Sequence, residues 1–419
     1  MHKIERLLQT LAPKGVEFKT LEEVFEIRNG YTPSKNNPEF WKNGTIPWFR
    51  MEDIRENGRI LKDSIQHITP KALKGKKLFP KNSIIISTTA TIGEHALLIV
   101  DSLANQQFTF LSKKANCDLA LDMKFFFYQC FLLGEWCKNN TNVSGFASVD
   151  MTAFKKYKFP IPPLEIQQEI VKILDAFTEL NTELNTELNA RKKQYQYYQN
   201  MLLDFNDIDS NHKDAKERLA QKPYPKRLKT LLQTLAPKGV EFRKLGEVCD
   251  FQKGKSITKK AVTFGKVPVI SGGRQPAYYH NEANRSGETI AISSSGVYAG
   301  YVSYWDIPVF LADSFSVSPK QKTLMPKYLF HYLTTQQDAI HATKSAGGIP
   351  HVYSKDLQNF LIPIPPLEIQ QEIVKILDQF SLLTTDLLAG IPAEIKARTK
   401  QYEYYREKLL TFKPLQNKE

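Results

Sequence analysis

Apolar residues step through two long stretches of the chain in the same rhythm. In the first they fall at Ile166, Ile170, Ile173, Phe177, Leu180, Leu184, Leu188, Tyr195, Tyr198 and Leu202, mostly at alternating steps of four and three. That spacing predicts a long helix with a coiled-coil seam. Pro160, Pro162 and Pro163 can precede a helix but not sit inside it, so the helix is expected to start near Leu164. The second stretch repeats the pattern with Ile369, Ile373, Ile376, Phe380, Leu383, Leu387, Tyr402, Tyr405 and Leu409. Each helix of about 40 residues would reach roughly 60 Å. In the second, Gly390-Ile391-Pro392 predicts a kink or an interruption. In the first, the tetrapeptide TELN occurs three times in succession over residues 178–189. It sets Leu180, Leu184 and Leu188 at spacing four, a stutter in the heptad.

Outside these stretches the period changes. Residues 83–87, 97–100 and 289–293 are short β-rich runs bounded by turn residues, and 121–137 and 326–337 pattern as helices. Trp48, Trp305 and Phe310 are assigned to the cores. The expected fold class is mixed α/β (α+β) domains carried on long antiparallel coiled-coil helices, with an internal pseudo-two-fold repeat.

The repeat is explicit in the sequence. LLQTLAPKGVEF at 7–18 returns at 231–242, and PIPPLEIQQEIVKILD at 160–175 returns at 363–378. The segments between the copies share only a faint skeleton, as in VSGFASVDMTAF from Val143 and AGGIPHVYSKDL from Ala346. The predicted order is a head segment at 1–18, a first insert at 19–158 and a central helix at 159–205. A polar linker at 206–226 leads to the repeated head at 227–242, the second insert at 243–362, the C-terminal helix at 363–412 and a tail at 413–419. A fixed frame with two dissimilar inserts suits a protein that reads two different things in one geometry.

Charge narrows what is read. With 57 Lys+Arg against 44 Asp+Glu, the net charge is +13 and the pI about 9.3, in the range of polyanion binders. Cys117, Cys130, Cys137 and Cys249 form no CxxC pair, which points to reduced thiols and a cytoplasmic location. No apolar run is long enough to span a membrane, and the first residues do not pattern as a signal peptide.

The paired proline-led helices around dissimilar inserts resemble the DNA specificity subunits of type I restriction-modification systems. The likeness is carried by the two PIPPLEIQQEIVKILD blocks, ISTTATIG at 86–93, GTIPW at 44–48 and SSSGVYAGYVSYW at 293–305, and it covers essentially the whole chain. It implies that each insert is a target recognition domain reading one half of a bipartite double-stranded DNA site. It implies that the helices set the spacer and dock two methyltransferase subunits, and that TELN-type repeats adjust spacer length. Restriction and translocase subunits join as further partners. S-adenosylmethionine, ATP and Mg are then expected on those partners, with no cofactor in this chain. Two other readings stay open: the recognition subunit of a bipartite-site system with a fused nuclease-methyltransferase partner, and a coiled-coil scaffold binding DNA without sequence preference.

Candidate DNA contacts come from stretches where aromatics interleave with basic and small polar residues, at 27–35, 48–54 and 251–260, and from the segments that carry the resemblance. They are Arg28, Tyr31, Thr32, Ser34, Lys35, Arg50, Thr88 and Thr89 in the first insert, and Lys253, Lys255, Ser256, Lys259, Lys260, Arg274, Ser294 and Tyr298 in the second. Arg and Lys can hold phosphates or guanine edges, and hydroxyls can bond bases. Leu180, Leu184, Leu188, Ile170, Ile173, Ile373 and Ile376 are the candidates for spacing and subunit docking. Catalytic patterns are not found. The GKS at 254–256 lacks the upstream glycine of a phosphate-binding loop, and Asn36-Asn37-Pro38-Glu39-Phe40 lacks the second proline of the amino-methyltransferase motif. The scattered histidines, His341 and His351 among the nearest in sequence, support neither a zinc site nor a nucleophile-histidine pair. The reading is therefore a non-catalytic subunit.

Overall fold

The computed structural model describes residues 2–142, 147–209, 214–320, 322–345, 348–385 and 390–415. It divides into two compact units, Met1–Glu183 with Ile395–Glu419, and Leu184–Glu394.

In the first unit the head helix His2–Leu11 leads into strand Glu17–Thr20, which pairs antiparallel with Lys158–Ile161 and closes the base of the insert. Inside lies a five-stranded sheet in the order Phe25–Asn29, Phe108–Lys113, Ser83–Ser87, His95–Leu98, Ile60–Leu61. Strand Ser83–Ser87 is buried along its whole length because both faces are covered. Ile84 and Ile86 join the core of the insert helix Met123–Asn139, whereas Ile85 joins Phe108 and Phe110 on the other side. The period-two alternation of the strand thus supplies two cores at once.

The second unit repeats this plan with different side chains. Strands Glu241–Lys244 and Leu361–Ile364 pair at its base. Its sheet runs Cys249–Lys253, Ser314–Pro319, Thr289–Ser293, Val302–Trp305, and the insert helix is Pro326–Thr335 followed by Gln337–Ala342. In both units a smaller three-stranded sheet has one antiparallel and one parallel pairing. The inserts that diverge in sequence therefore share a fold.

Several local expectations shift. The first insert helix begins at Met123, not at 121, because Asp122 caps it, Oδ1 accepting from the backbone of Lys124 at 2.7 Å and of Phe125 at 3.2 Å. The strand expected at 97–100 runs His95–Leu98; Ile99 turns outward and Asp101 Oδ1 accepts from Lys81 N at 2.7 Å to hold the turn. Trp48 and Phe310 are core residues, but Trp305, on the edge strand, is only half-buried. The segment expected as a polar linker is partly built into the second core. Ile208, Leu219 and Tyr224 are buried, a helix spans Ala215–Gln221, and Lys222 Nζ sits 3.1 Å from Asp204 and 3.0 Å from Asp207.

The long helix spans Leu164–Leu203, 40 residues from the predicted start. Ile166, Ile170 and Leu202 are fully buried, as the seam requires. Ile173 is only half-buried, and the fully buried Leu174 lies outside the predicted seam; Ile376 and Leu377 repeat this in the second helix. Near its ends the helix packs on a domain core, and such a contact covers a wider stripe than a two-stranded seam. Farther along, Phe177 stacks on Tyr405 at 5.7 Å in the first unit, and Tyr198 stacks on Phe380 at 5.0 Å in the second. Leu180, Leu184 and Leu188 are half-buried. The second stretch forms two helices, Leu367–Thr385 and Ile391–Leu410, with Pro392 in the first turn of the latter. Leu387, the side chain of Leu383, and the 143–146 and 346–347 parts of the paired insert endings lie outside the described residues.

One side chain of each repeated block has the same buried role in both copies. Gln167, fully buried, donates Nε2 to the carbonyls of Ala120 and Pro162 and accepts from Asp122 N at 2.8 Å. Gln370 does the same with Thr323, Pro365 and Met325 N. Each glutamine satisfies three backbone groups that would otherwise be buried unpaired.

Candidate nucleic-acid interface

In the first unit the site grows from a backbone approach that only glycine permits. A Cβ on Gly30 would stand 2.2 Å from the carbonyl oxygen of Asn105. Without it, Gly30 N donates to Phe108 O at 2.8 Å and Tyr31 N to Ala104 O at 2.7 Å. Residues 31–36 are thereby laid against 104–107. The Thr32 hydroxyl donates to the Gln106 side-chain oxygen, Gln107 Nε2 donates to Thr91 Oγ1 at 2.7 Å, and Gln107 N donates to Asn105 Oδ1 at 3.1 Å.

Two tryptophans fix one wall. Trp48 Nε1 donates to Tyr31 O and Trp41 Nε1 to Ser34 O, each at 2.9 Å, and the rings meet edge to face at 5.0 Å. Arg50 is anchored through its backbone, which donates to Asp53 Oδ2 at 2.6 Å; its Nε has no hydrogen-bond partner and lies 3.8 Å from a Glu52 oxygen. The result is an open cleft of about 1050 Å³. Thr32, Lys35, Asn36, Lys42, Arg50, Gln66, Thr89, Asn105, Gln106 and Gln107 line it, with Glu52 as its one acid among the described residues. Amides that donate and accept side by side, next to cations, are what base edges and phosphates require.

The second unit builds the same turn. Gly254 N donates to Ser314 O at 2.8 Å and Lys255 N to Leu311 O at 2.9 Å, and a Cβ on Gly254 would stand 2.5 Å from Ala312 O. The turn presents Lys253, Lys255, Ser256, Lys259 and Lys260, all exposed. A second loop follows the central strand in each unit. Thr88 N donates to Gln107 O and Val149 N to Thr88 O; Ser294 N donates to Asp313 O and Val352 N to Ser294 O. Arg274, from the turn between strands Phe264–Ile270 and Tyr278–His280, lies over two rings of that loop, Tyr298 at 4.9 Å and Tyr301 at 5.7 Å.

Of the residues predicted in the first insert, the fold brings Thr32, Lys35, Arg50 and Thr89 into one cleft. Tyr31 and Ser34 support it through their carbonyls. Two others lie outside the cleft lining. Thr88 is buried with its hydroxyl bonded to Thr109 at 2.9 Å. Arg28, exposed, pairs with Glu26 at 3.1 Å over the Phe79 ring. The cleft is also lined by Asn36, Lys42, Gln66 and above all Asn105-Gln106-Gln107, which the sequence pattern did not single out. Three consecutive amides between the apolar strands Leu103–Ala104 and Phe108–Lys113 are the signal that could have found them.

Burial makes His95 and three of the cysteines unreactive. His95, enclosed between Phe127 and Phe131, is pushed down to about 3 by loss of solvent, so it stays neutral. Burial pushes the Cys137 and Cys249 thiols up to about 12 and Cys130 well above its ordinary range. Among the described residues no group of three or more His, Cys, Asp or Glu is placed to hold a metal ion, and no helix is long and apolar enough to cross a membrane.

Two stretches, 13–193 and 237–397, match the family described as the type I restriction modification DNA specificity domain. The chain is similar to the type I restriction enzyme EcoprrI specificity subunit of Escherichia coli, 40% identical over 402 residues that cover 92% of this chain and 93% of that one. It is also similar to the EcoR124I/EcoR124II specificity subunit of Escherichia coli, at 32% identity over 65% of this chain and 69% of that one. The fold is similar to the crystal structure of a type I restriction-modification S subunit from M. genitalium, with a TM-score of 0.57, 19% identity, and coverage of 94% of this chain and 96% of that one.

Proposed function

The chain belongs to the family of type I restriction-modification DNA specificity subunits, and from that premise we propose that each unit reads one half of a bipartite double-stranded DNA site. The observation that carries this is the shared turn in both units with different furnishing: amides and hydroxyls with Lys35, Lys42 and Arg50 beside Gly30, lysines around Gly254. A constant geometry with exchanged side chains makes two readers of different sequence. The lysines and arginines hold phosphates, and the amides and hydroxyls read base edges.

In this reading the long helices set the number of unread base pairs between the halves and offer docking faces for two methyltransferase subunits. The chain itself is non-catalytic and works in the cytoplasm. Methyl transfer, with base flipping and S-adenosylmethionine, belongs to those partners, and ATP and Mg to the restriction and translocase subunits that join them. The test is to replace residues 19–158 with the first insert of another family member and to map methylated sites across the host genome. One half of the site should change and the other should stay. Loss or change of both halves by a folded complex would refute independent reading.

A further inference from the structure

We propose that the second unit carries an apolar reading tip, Val297 with Ile349, that contacts the C5-methyl groups of thymine in the major groove; the proposal rests on the DNA-recognition reading above. Val297 is 80% exposed and Ile349 65%. They do not sit on loose ends. Gly296 N donates to Pro350 O at 3.0 Å, Val352 N to Ser294 O at 2.9 Å, and Ser295 bridges His351, so the backbone beside Val297 is tied to the backbone beside Ile349.

Arg274 and Lys355 supply positive charge beside the tip. Arg274 lies 4.9 Å over the exposed Tyr298 ring, Lys355 lies 5.6 Å from the ring of Tyr353, and His351 stacks on that same ring at 5.9 Å. The neighbouring acid, Asp313, is engaged by the Ser295 hydroxyl. An exposed apolar cluster marks a binding site, and a cationic rim is complementary to a polyanion. The position within the fold agrees. In the first unit the corresponding bridge, Thr89 to Ser148, places Thr89 in the amide-lined cleft. Thr89 has Ser295 as its counterpart, and beside that hydroxyl the second unit adds the branched apolar groups of Val297 and Ile349; thymine alone among the bases shows an apolar group in the major groove.

The test uses the full chain with its methyltransferase partner and a duplex carrying the methylated site mapped in the host. Each thymine of each half-site is replaced in turn by 2′-deoxyuridine, which lacks only the methyl. In one half-site at least one replacement should weaken binding about fourfold, the worth of one buried methyl. Val297→Ser or Ile349→Ser should abolish that difference while leaving the other half-site's responses unchanged. Both positions are exposed, so the variants should keep the wild-type melting temperature. A wild-type complex indifferent to every deoxyuridine, or variants that keep the full difference, would overturn the proposal. So would variants that assemble poorly with the partner yet still discriminate, which would place the tip against protein. A wild-type complex that fails to prefer the mapped site over a scrambled duplex would overturn the recognition reading itself, and this proposal with it.

Discussion

His331 Nε2 lies 3.3 Å from Asp378 Oδ1, in the place where the first unit sets the Tyr128 hydroxyl 2.7 Å from Asp175 Oδ1. In both units the carboxylate that ends the repeated PIPPLEIQQEIVKILD block is also held by a lysine of the insert helix, Lys124 or Lys327, at 2.6 Å. The clamp is therefore part of the duplicated frame, and the histidine is a local variation.

Burial alone would raise the Asp378 carboxyl, but the hydrogen bonds from His331 and Lys327 outweigh it and hold the group below its ordinary range. A carboxyl depressed by folding stabilises the folded state above its unfolded pKa, and that contribution is lost as pH falls through the folded value. Asp378→Asn should therefore cost about 1 kcal/mol at neutral pH, after allowance for partial exposure. The gap should narrow as pH falls below about 4. Urea denaturation of both proteins across that range measures it; a gap that is constant with pH would mean that the clamp is not ionic.

The clamp also shows how far the sequence could be read. The helix start at Leu164 was legible from three prolines and a periodic stripe, because both signals are local. Strands 83–87 and 289–293 were legible for the same reason. Leu174 and Leu377 were not, since which side of the seam is covered depends on the insert core that packs there. Likewise, Asn105, Gln106 and Gln107 belong to a site only because Gly30 lets a distant strand end close against them. Thr88 looked available in the sequence and is lost to Thr109, a partner on the neighbouring strand. Period and caps are written locally, whereas site membership is a property of the register.

The thiols give a simple check of the packing. Cys130, Cys137 and Cys249 are buried with their thiols raised by loss of solvent, and Cys117 is half-exposed. A thiolate is the reactive form, so at pH 8 one thiol per native chain, Cys117, should react with a chromogenic disulfide, and four should react in denaturant. Cys117→Ser should remove the native signal. Rapid reaction of a second thiol in the native protein would show that one of the cores is open.

The lysines of the second turn should act through phosphate. Each of Lys253, Lys255, Lys259 and Lys260 that neutralises a phosphate adds about 0.9 to the slope of log affinity against log salt. Changing all four to glutamine should flatten that slope and weaken specific and scrambled duplexes alike. An unchanged slope would show that these exposed lysines face away from DNA.

The TELN array should behave as a ruler. Leu180, Leu184 and Leu188 are all half-buried within the continuous helix Leu164–Leu203 and, four residues apart, share one side of it. Each four-residue unit turns the helix by about 400°, which returns the stripe to within about 40° of its starting direction, and adds about 6 Å of length. Deleting one unit thus preserves the apolar face while shortening the helix. A base pair occupies about 3.4 Å of duplex, so helix tilt or DNA bending must absorb part of the change. The expected outcome is a spacer shorter by one base pair with both half-sites intact, read by mapping methylated sites in the host. Deleting two residues instead rotates everything beyond by about 200°, which turns the downstream seam away from its partners, and that variant should assemble poorly. If the four-residue deletion methylates the original site at the original spacing, helix length does not set the spacer.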